Sequence, residues 1–150
     1  MSLEIFLESI VDPSLEVPLA DFVEASDLSP SELGMFAKTW FNTPLERQLW
    51  TMDTMVELAE DNPELDFCAI FKMCLKDKEE SVQLKAIEGL WEYEDRSIIP
   101  GLVQLLGSNQ SPEIRAASAT GLGKFAVLIQ DGKLLPKDGD VVRDSLLTVL

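Results

Sequence analysis

Residues 81–90, Ser-Val-Gln-Leu-Lys-Ala-Ile-Glu-Gly-Leu, return 32 residues later as Glu-Ile-Arg-Ala-Ala-Ser-Ala-Thr-Gly-Leu at 113–122. A second match lies upstream of each at the same offset: Ile70, Phe71 and Cys74 answer to Leu102, Val103 and Leu106. A fixed period of this size marks stacked structural units, each too small to bury its own apolar face. It limits the chain to repetitive folds of a few short elements. The apolar spacing within each copy is i, i+4, i+7 and i+8, so those elements are helices.

Taken in order, Leu3, Phe6, Leu7 and Ile10 form a short amphipathic helix that Pro13 ends. Residues 13–28 read either as an extended arm or as a short helix across 18–25, with the arm lying on the array. Ser29-Pro30-Ser31-Glu32 is a capping box with proline at the first helical position. It predicts a helix to about Phe41 that buries Leu33, Phe36, Ala37 and Trp40. Thr43-Pro44-Leu45-Glu46 repeats that start signal and predicts a helix to about Glu60, with Leu45, Leu49, Met52, Val56 and Ala59 on its apolar stripe. These two helices make a first hairpin, 29–61.

Asn62-Pro63 predicts a third helix to about Leu75, burying Phe67, Ile70, Phe71 and Cys74. Asp77 as cap with Glu80 predicts a fourth, 78–93, burying Val82, Ala86, Gly89, Leu90 and Tyr93. This is the second hairpin, 63–93. Ser97 caps a fifth helix with Pro100 in its first turn, and 107–110 is a turn around Asn109. Ser111 and Pro112 then open a sixth helix to about Ile129, burying Ile114, Ser118, Gly121, Leu122 and Phe125. The third hairpin is 97–129. Residues 130–140 read as a loop, and Asp140 caps a last helix from Val141 to Leu150, a half-repeat at 140–150. Its Leu146, Leu147, Val149 and Leu150 have no following helix to cover them. The expected domains are thus an arm over 1–28 and a repeat domain over 29–150.

The formal charge is −15, and most of it sits early. Residues 1–66 hold 15 acids and 2 bases, while 67–150 hold 12 acids and 10 bases. Phosphate backbones and anionic membrane surfaces repel such a chain, so neither nucleic acid nor membrane is an expected partner. A basic protein is compatible with the acidic half, and so is a purely solubilising role for those acids. There is neither a signal-peptide pattern nor an apolar run long enough to span a bilayer, which points to a cytoplasmic protein. Cys68 and Cys74 fall on different faces of one helix and read as buried, reduced thiols.

Catalytic chemistry finds little support. Histidine is absent from the chain, which removes the commonest general base and metal ligand. No phosphate-binding loop or nucleophile elbow occurs, and Gly121-Leu122-Gly123 is mid-helix. Glu92, Glu94 and Asp95 form the densest carboxylate group, at a helix end where acids are ordinarily just solvated. The expectation is a protein that is not an enzyme and that uses neither metal nor cofactor.

Val82-Gln83-x-x-Ala86-Ile87-x-Gly89-Leu90 and Ile114-Arg115-Ala116-Ala117-x-Ala119-x-Gly121-Leu122-Gly123 resemble HEAT repeats. The resemblance is nearest to the short bacterial type called phycobilisome-lyase HEAT-like repeats: an Asp-Pro turn, then Val-Arg, then Ala-x-x-Ala-Leu-Gly. It is good over 67–127, weaker over 29–61 and absent over 1–28. Residues 58–67 joined to 87–92 are similar to uncharacterised bacterial HEAT-repeat proteins. The resemblance implies an all-α, right-handed superhelix (an α-solenoid) of about three antiparallel helix hairpins plus a terminal half-repeat. Second helices would line a concave face that usually binds protein. The family's turn Asp and helix-start Arg tend to pair between neighbours. Asp77 and Arg115 survive here, while Gln83 and Asn109 replace their equivalents. One Asp77–Arg115 contact is therefore expected, contributing about 1 kcal/mol as a partly exposed pair.

On that concave face the fourth helix presents Lys85, Glu88, Trp91 and Glu92. The matching positions of the sixth are Ala117, Thr120, Gly123 and Lys124. Trp91 is the natural anchor of an interface, since aromatics on a polar face dominate binding energy. It could instead cover the seam between two hairpins. The expected function is a non-enzymatic scaffold or adaptor that binds a protein partner through Lys85, Glu88, Trp91, Glu92, Thr120 and Lys124. The repeat type also allows a subunit of a bilin lyase, and the abrupt end at Leu150 allows a structural module of a longer repeat protein.

Overall fold

The computed structural model describes residues 2–107 and 111–148. The turn expected at 107–110, with Asn109, and the terminal Val149 and Leu150 fall largely or wholly outside them. The fold is all-α: α1 Leu3–Val11, a 3₁₀ segment Leu19–Ala25, α2 Pro30–Phe41, α3 Leu45–Asp61 and α4 Cys68–Cys74 come first. Next come α5 Glu80–Leu90, a 3₁₀ turn Arg96–Ile98, α6 Ile99–Gly107, α7 Pro112–Gln130 and α8 Pro136–Thr148. No strand occurs among the described residues. The chain forms two compact units, 1–73 and 74–150.

In the first unit α1 packs on α2, α3 and the 3₁₀ segment. Leu3, Phe6, Leu7 and Ile10 are all buried, as their spacing requires. Phe6 meets Phe22 edge-on with centroids 5.1 Å apart, and Phe22 meets Trp50 at 5.9 Å. The 13–28 stretch is thus helical only across Leu19–Ala25, where Phe22 and Ala25 point into this core. The Ser29 capping box forms in full. Its mirror at Thr43 does not: the Thr43 hydroxyl turns back to donate to the Thr39 carbonyl at 2.8 Å, and α3 starts with no side-chain cap. The buried face of α3 keeps Met52 and Val56 of the expected stripe but is broader and shifted away from its N-terminal leucines. Gln48, Thr51, Met52 and Met55 are inside, whereas Leu45 is exposed and Leu49 half-buried.

α4 starts five residues later than Asn62-Pro63 suggests. The intervening backbone is engaged elsewhere. Asn62 accepts the Glu64 N–H at 3.0 Å, and the Asp66 N–H donates to the Ser26 hydroxyl at 2.8 Å. The Asp27 N–H in turn donates to the Asp66 carbonyl at 2.7 Å, with Asp27 at φ 52°, a conformation aspartate tolerates. Phe67, Ile70, Phe71 and Cys74 are buried as expected. Cys68 and Cys74 are buried and not joined in a disulfide. Burial raises the Cys74 thiol well above its ordinary range, with Asp77 adding to the effect, so it is protonated and inert.

In the second unit α7 packs on α5, α6 and α8, and α6 also meets α8. Ile114, Ser118, Gly121, Leu122 and Phe125 are buried, matching Val82, Ala86, Gly89 and Leu90 of α5. Ser118 replaces an alanine there without loss because its hydroxyl donates to the Ile114 carbonyl at 2.8 Å. A Cβ at Gly121 would lie 3.0 Å from Leu102 Cδ1, so this glycine sets how closely α6 and α7 approach. The cap expected at Asp77 is absent. Asp77 instead accepts the Glu79 N–H at 3.0 Å, and α5 begins at Glu80.

α8 starts at Pro136, five residues before the expected start at Val141. Asp138-Gly139 reads as a turn in isolation, yet both residues are used in packing. Gly139 sits against Ile129, and Asp138 takes both Arg96 Nε and an Arg96 Nη at 3.0 and 2.9 Å. The Arg96 hydrogen bonds hold the Asp138 carboxyl below its ordinary 3.8. A depressed folded value means the unfolded chain binds the proton more readily, so this pair stabilises above about pH 4 and fades as the pH falls. Asp138→Asn is expected to melt below the wild type at pH 7, the gap closing as acid protonates the wild-type carboxyl. Thermal melts at pH 7 and pH 3 check this, and a gap that persists at pH 3 would assign the loss to packing. Arg115, the expected partner of Asp77, is exposed.

Candidate partner-binding surface

The six residues singled out from the sequence all lie in the second unit, on or beside α5 and α7. Of the four expected along the fourth helix, only Lys85 and Glu88 lie within α5. α5 ends at Leu90, so Trp91 is its C-cap and Glu92 lies in the turn beyond. The end of the helix and the turn after it are met from α7. The Lys124 ammonium donates to the carbonyls of both Trp91 and Tyr93, the latter at 2.7 Å. A cation on the last carbonyls of a helix satisfies acceptors that have no partner within it and complements the helix dipole.

The same ammonium lies 5.5 Å from the centroid of the Trp91 ring and 5.5 Å from that of Phe125. Burial lowers the Lys124 pKa from its ordinary 10.5, while Glu94 and Glu92 pull it back up. Trp91 therefore stands on a cation, half-exposed at 49%. A small apolar recess lies below it, lined by Ile87, Leu90, Ile98, Leu102 and Phe125. So Trp91 is both a cover on the seam between two helices and an aromatic open to solvent.

One turn back, Lys85 and Glu88 form an ion pair at 3.5 Å, half-exposed and exposed respectively. Thr120 is exposed and spends its hydroxyl on the Ala116 carbonyl at 3.0 Å. It lies one turn before Lys124 on the same face of α7. The structure thus brings Trp91, Glu92 and Lys124 together, with Lys85 and Glu88 along α5 and Thr120 along α7.

Sequence reasoning missed a device that recurs in the two units. Gln83, fourth residue of α5, is 4% exposed, and its amide donates to the Asp77 carbonyl at 2.7 Å and more weakly to Leu75 at 3.4 Å. Gln48, fourth residue of α3, is 8% exposed, and its amide donates to the Trp40 carbonyl at 2.8 Å. In each case a buried glutamine reaches eight residues back, to the end of the preceding helix. An amide at the fourth position of α3 and of α5 was the available signal.

Among the described residues no helix is long and apolar enough to cross a membrane, and no cluster of His, Cys, Asp or Glu is placed to hold a metal ion. No curated protein and no solved structure shows significant similarity to the chain. Residues 69–148, more than half of the chain, match the family described as HEAT repeats. That match spans the α5 and α7 pair whose sequences repeat, and the chain belongs to the HEAT-repeat family.

Proposed function

We propose that this protein is a non-enzymatic scaffold that binds a protein partner through the concave face formed by its second helices, with Trp91 at the centre. HEAT repeats generally mediate protein–protein interaction. The observation that carries the reading is Trp91: half-exposed, with the Lys124 ammonium 5.5 Å from its ring centroid and donating to its carbonyl. An aromatic held in one orientation loses little entropy on binding, which is what makes such residues anchors. Glu88 and Glu92 beside it, with Lys85 and Lys124, give a polar rim of both signs that would set orientation more than affinity.

Affinity capture from native lysate with wild type, Trp91→Ala and Glu88→Lys tests this. A partner held by the wild type should be weakened at least tenfold by Trp91→Ala, as expected for an interface anchor. Melting curves should show that variant still folded. Identical capture by all three chains would remove Trp91 from the interface. A bilin that shifts its absorbance on mixing with the protein would overturn the reading in favour of the lyase alternative.

A further inference from the structure

The first unit carries a second surface, outside the residues that match HEAT repeats and independent of the Trp91 surface. α1 and α2 lie side by side and leave a groove of about 370 Å³ between them. Its floor is apolar: Leu7, Val11 and Met35, the last 37% exposed. One wall carries Glu4 and Glu8, a single turn apart on α1 and both exposed. The other carries Lys38. The unit around it, residues 1–73, holds fifteen Asp and Glu against three Lys and Arg.

Shape and charge together choose the occupant. A groove between two packed helices is complementary to the ridge of a third, so its natural guest is an amphipathic helix with apolar residues at i, i+3 or i+4, and i+7. The floor takes the apolar ridge. Glu4 and Glu8, one turn apart, take cationic side chains one turn apart on the guest. The excess of acids in the unit steers a cationic guest towards it. Nucleic acid and anionic membrane are repelled by the same field. We propose that the α1–α2 groove docks a basic amphipathic helix of a protein partner, seated on Leu7, Val11 and Met35 and held by Glu4 and Glu8.

The test is a display selection on the full-length protein from a library of helical peptides, with fluorescence polarisation of the peptides that enrich. Enriched sequences should carry the apolar spacing with Lys or Arg one turn apart along one edge. Their binding should fall at least tenfold on Met35→Asp and at least tenfold on the double variant Glu4→Gln, Glu8→Gln. It should also weaken between 50 and 300 mM salt, as charge contacts do. All substituted side chains are exposed, and circular dichroism of each variant checks that the helices remain. Four results would overturn the proposal: no enrichment, enrichment of acidic or uncharged peptides, binding that survives Met35→Asp, or binding unaffected by removing both glutamates. A dimer of this chain that Met35→Asp dissociates would overturn it too, by assigning the groove to a second copy.

Discussion

Arg47→Ala is expected to destabilise the first unit by about 2–3 kcal/mol, the loss of hydrogen bonds from a charged donor to several backbone acceptors. In a chain of this size that is a fall of roughly 5–10 °C in melting temperature. Arg47 Nε donates to the Ile10 carbonyl at 3.0 Å, and one Nη donates to Ser9 at 3.1 Å and to Leu15 at 2.7 Å. Two of those carbonyls belong to the last turn of α1, where the helix has no N–H left to offer. The third belongs to Leu15, in the turn after the helix. One guanidinium therefore ends α1 and fastens the turn to it. The ring of Trp50 supports the guanidinium from 4.7 Å.

Arg47→Lys should recover less than half of the loss, because a single ammonium cannot reproduce a planar fork aimed at several acceptors. Amide exchange should show the loss confined at first to α1 and residues 12–18. If the lysine variant melts with the wild type, the fork contributes nothing beyond its charge.

Gln83→Glu is expected to destabilise the second unit by about 3 kcal/mol at pH 7, the order of effect for a buried charge without a partner, and by far less at pH 4. The side-chain amide faces two carbonyl oxygens, and its own oxygen is buried with no hydrogen-bond partner. A carboxylate there would set negative oxygen against carbonyl oxygen out of water. The folded chain would resist ionisation, so the introduced carboxyl would titrate above its unfolded value of about 4.3. Folding would then take up a proton, and the deficit would grow as the pH rises through that window.

Gln83→Leu also loses both donated bonds, but its deficit should be smaller and flat with pH, since it also removes the unpartnered oxygen. Urea melts of both variants at pH 4 and pH 7 separate the cases. Equal deficits for Gln83→Glu at the two pH values would mean that the side chain reaches water. Gln48→Glu should repeat the pattern in the first unit, where the amide serves the Trp40 carbonyl.

Much of the fold was legible because the signals that start helices and bury them are local. Ser29 and Ser111 cap where their spacing says, and each precedes a proline at the first helical position. The stripes of α1 and α7 came out residue for residue. Thr43 and Asp77 carry the same local signal and fail, each because the side chain finds a nearer backbone group. The α8 start was missed because Asp138-Gly139 is a turn sequence unless Arg96 and Ile129 lie beside it. The candidate surface was legible as residues but not as an arrangement, since α5 ends at Leu90 and leaves Trp91 as its C-cap, in contact with Lys124 of α7.

By itself the sequence determined that the chain is helical, that its helices recur, which faces are apolar and which family it resembles, because periodicity and caps are written in neighbouring residues. Only the tertiary structure decided where Arg47, Gln48, Gln83 and Lys124 spend their donors. All four end on backbone carbonyls near the ends of helices or in the turns just beyond. A carbonyl is the same group in every residue, so its need for a partner leaves no mark in the sequence. Which long side chain answers it depends on what the fold brings within reach.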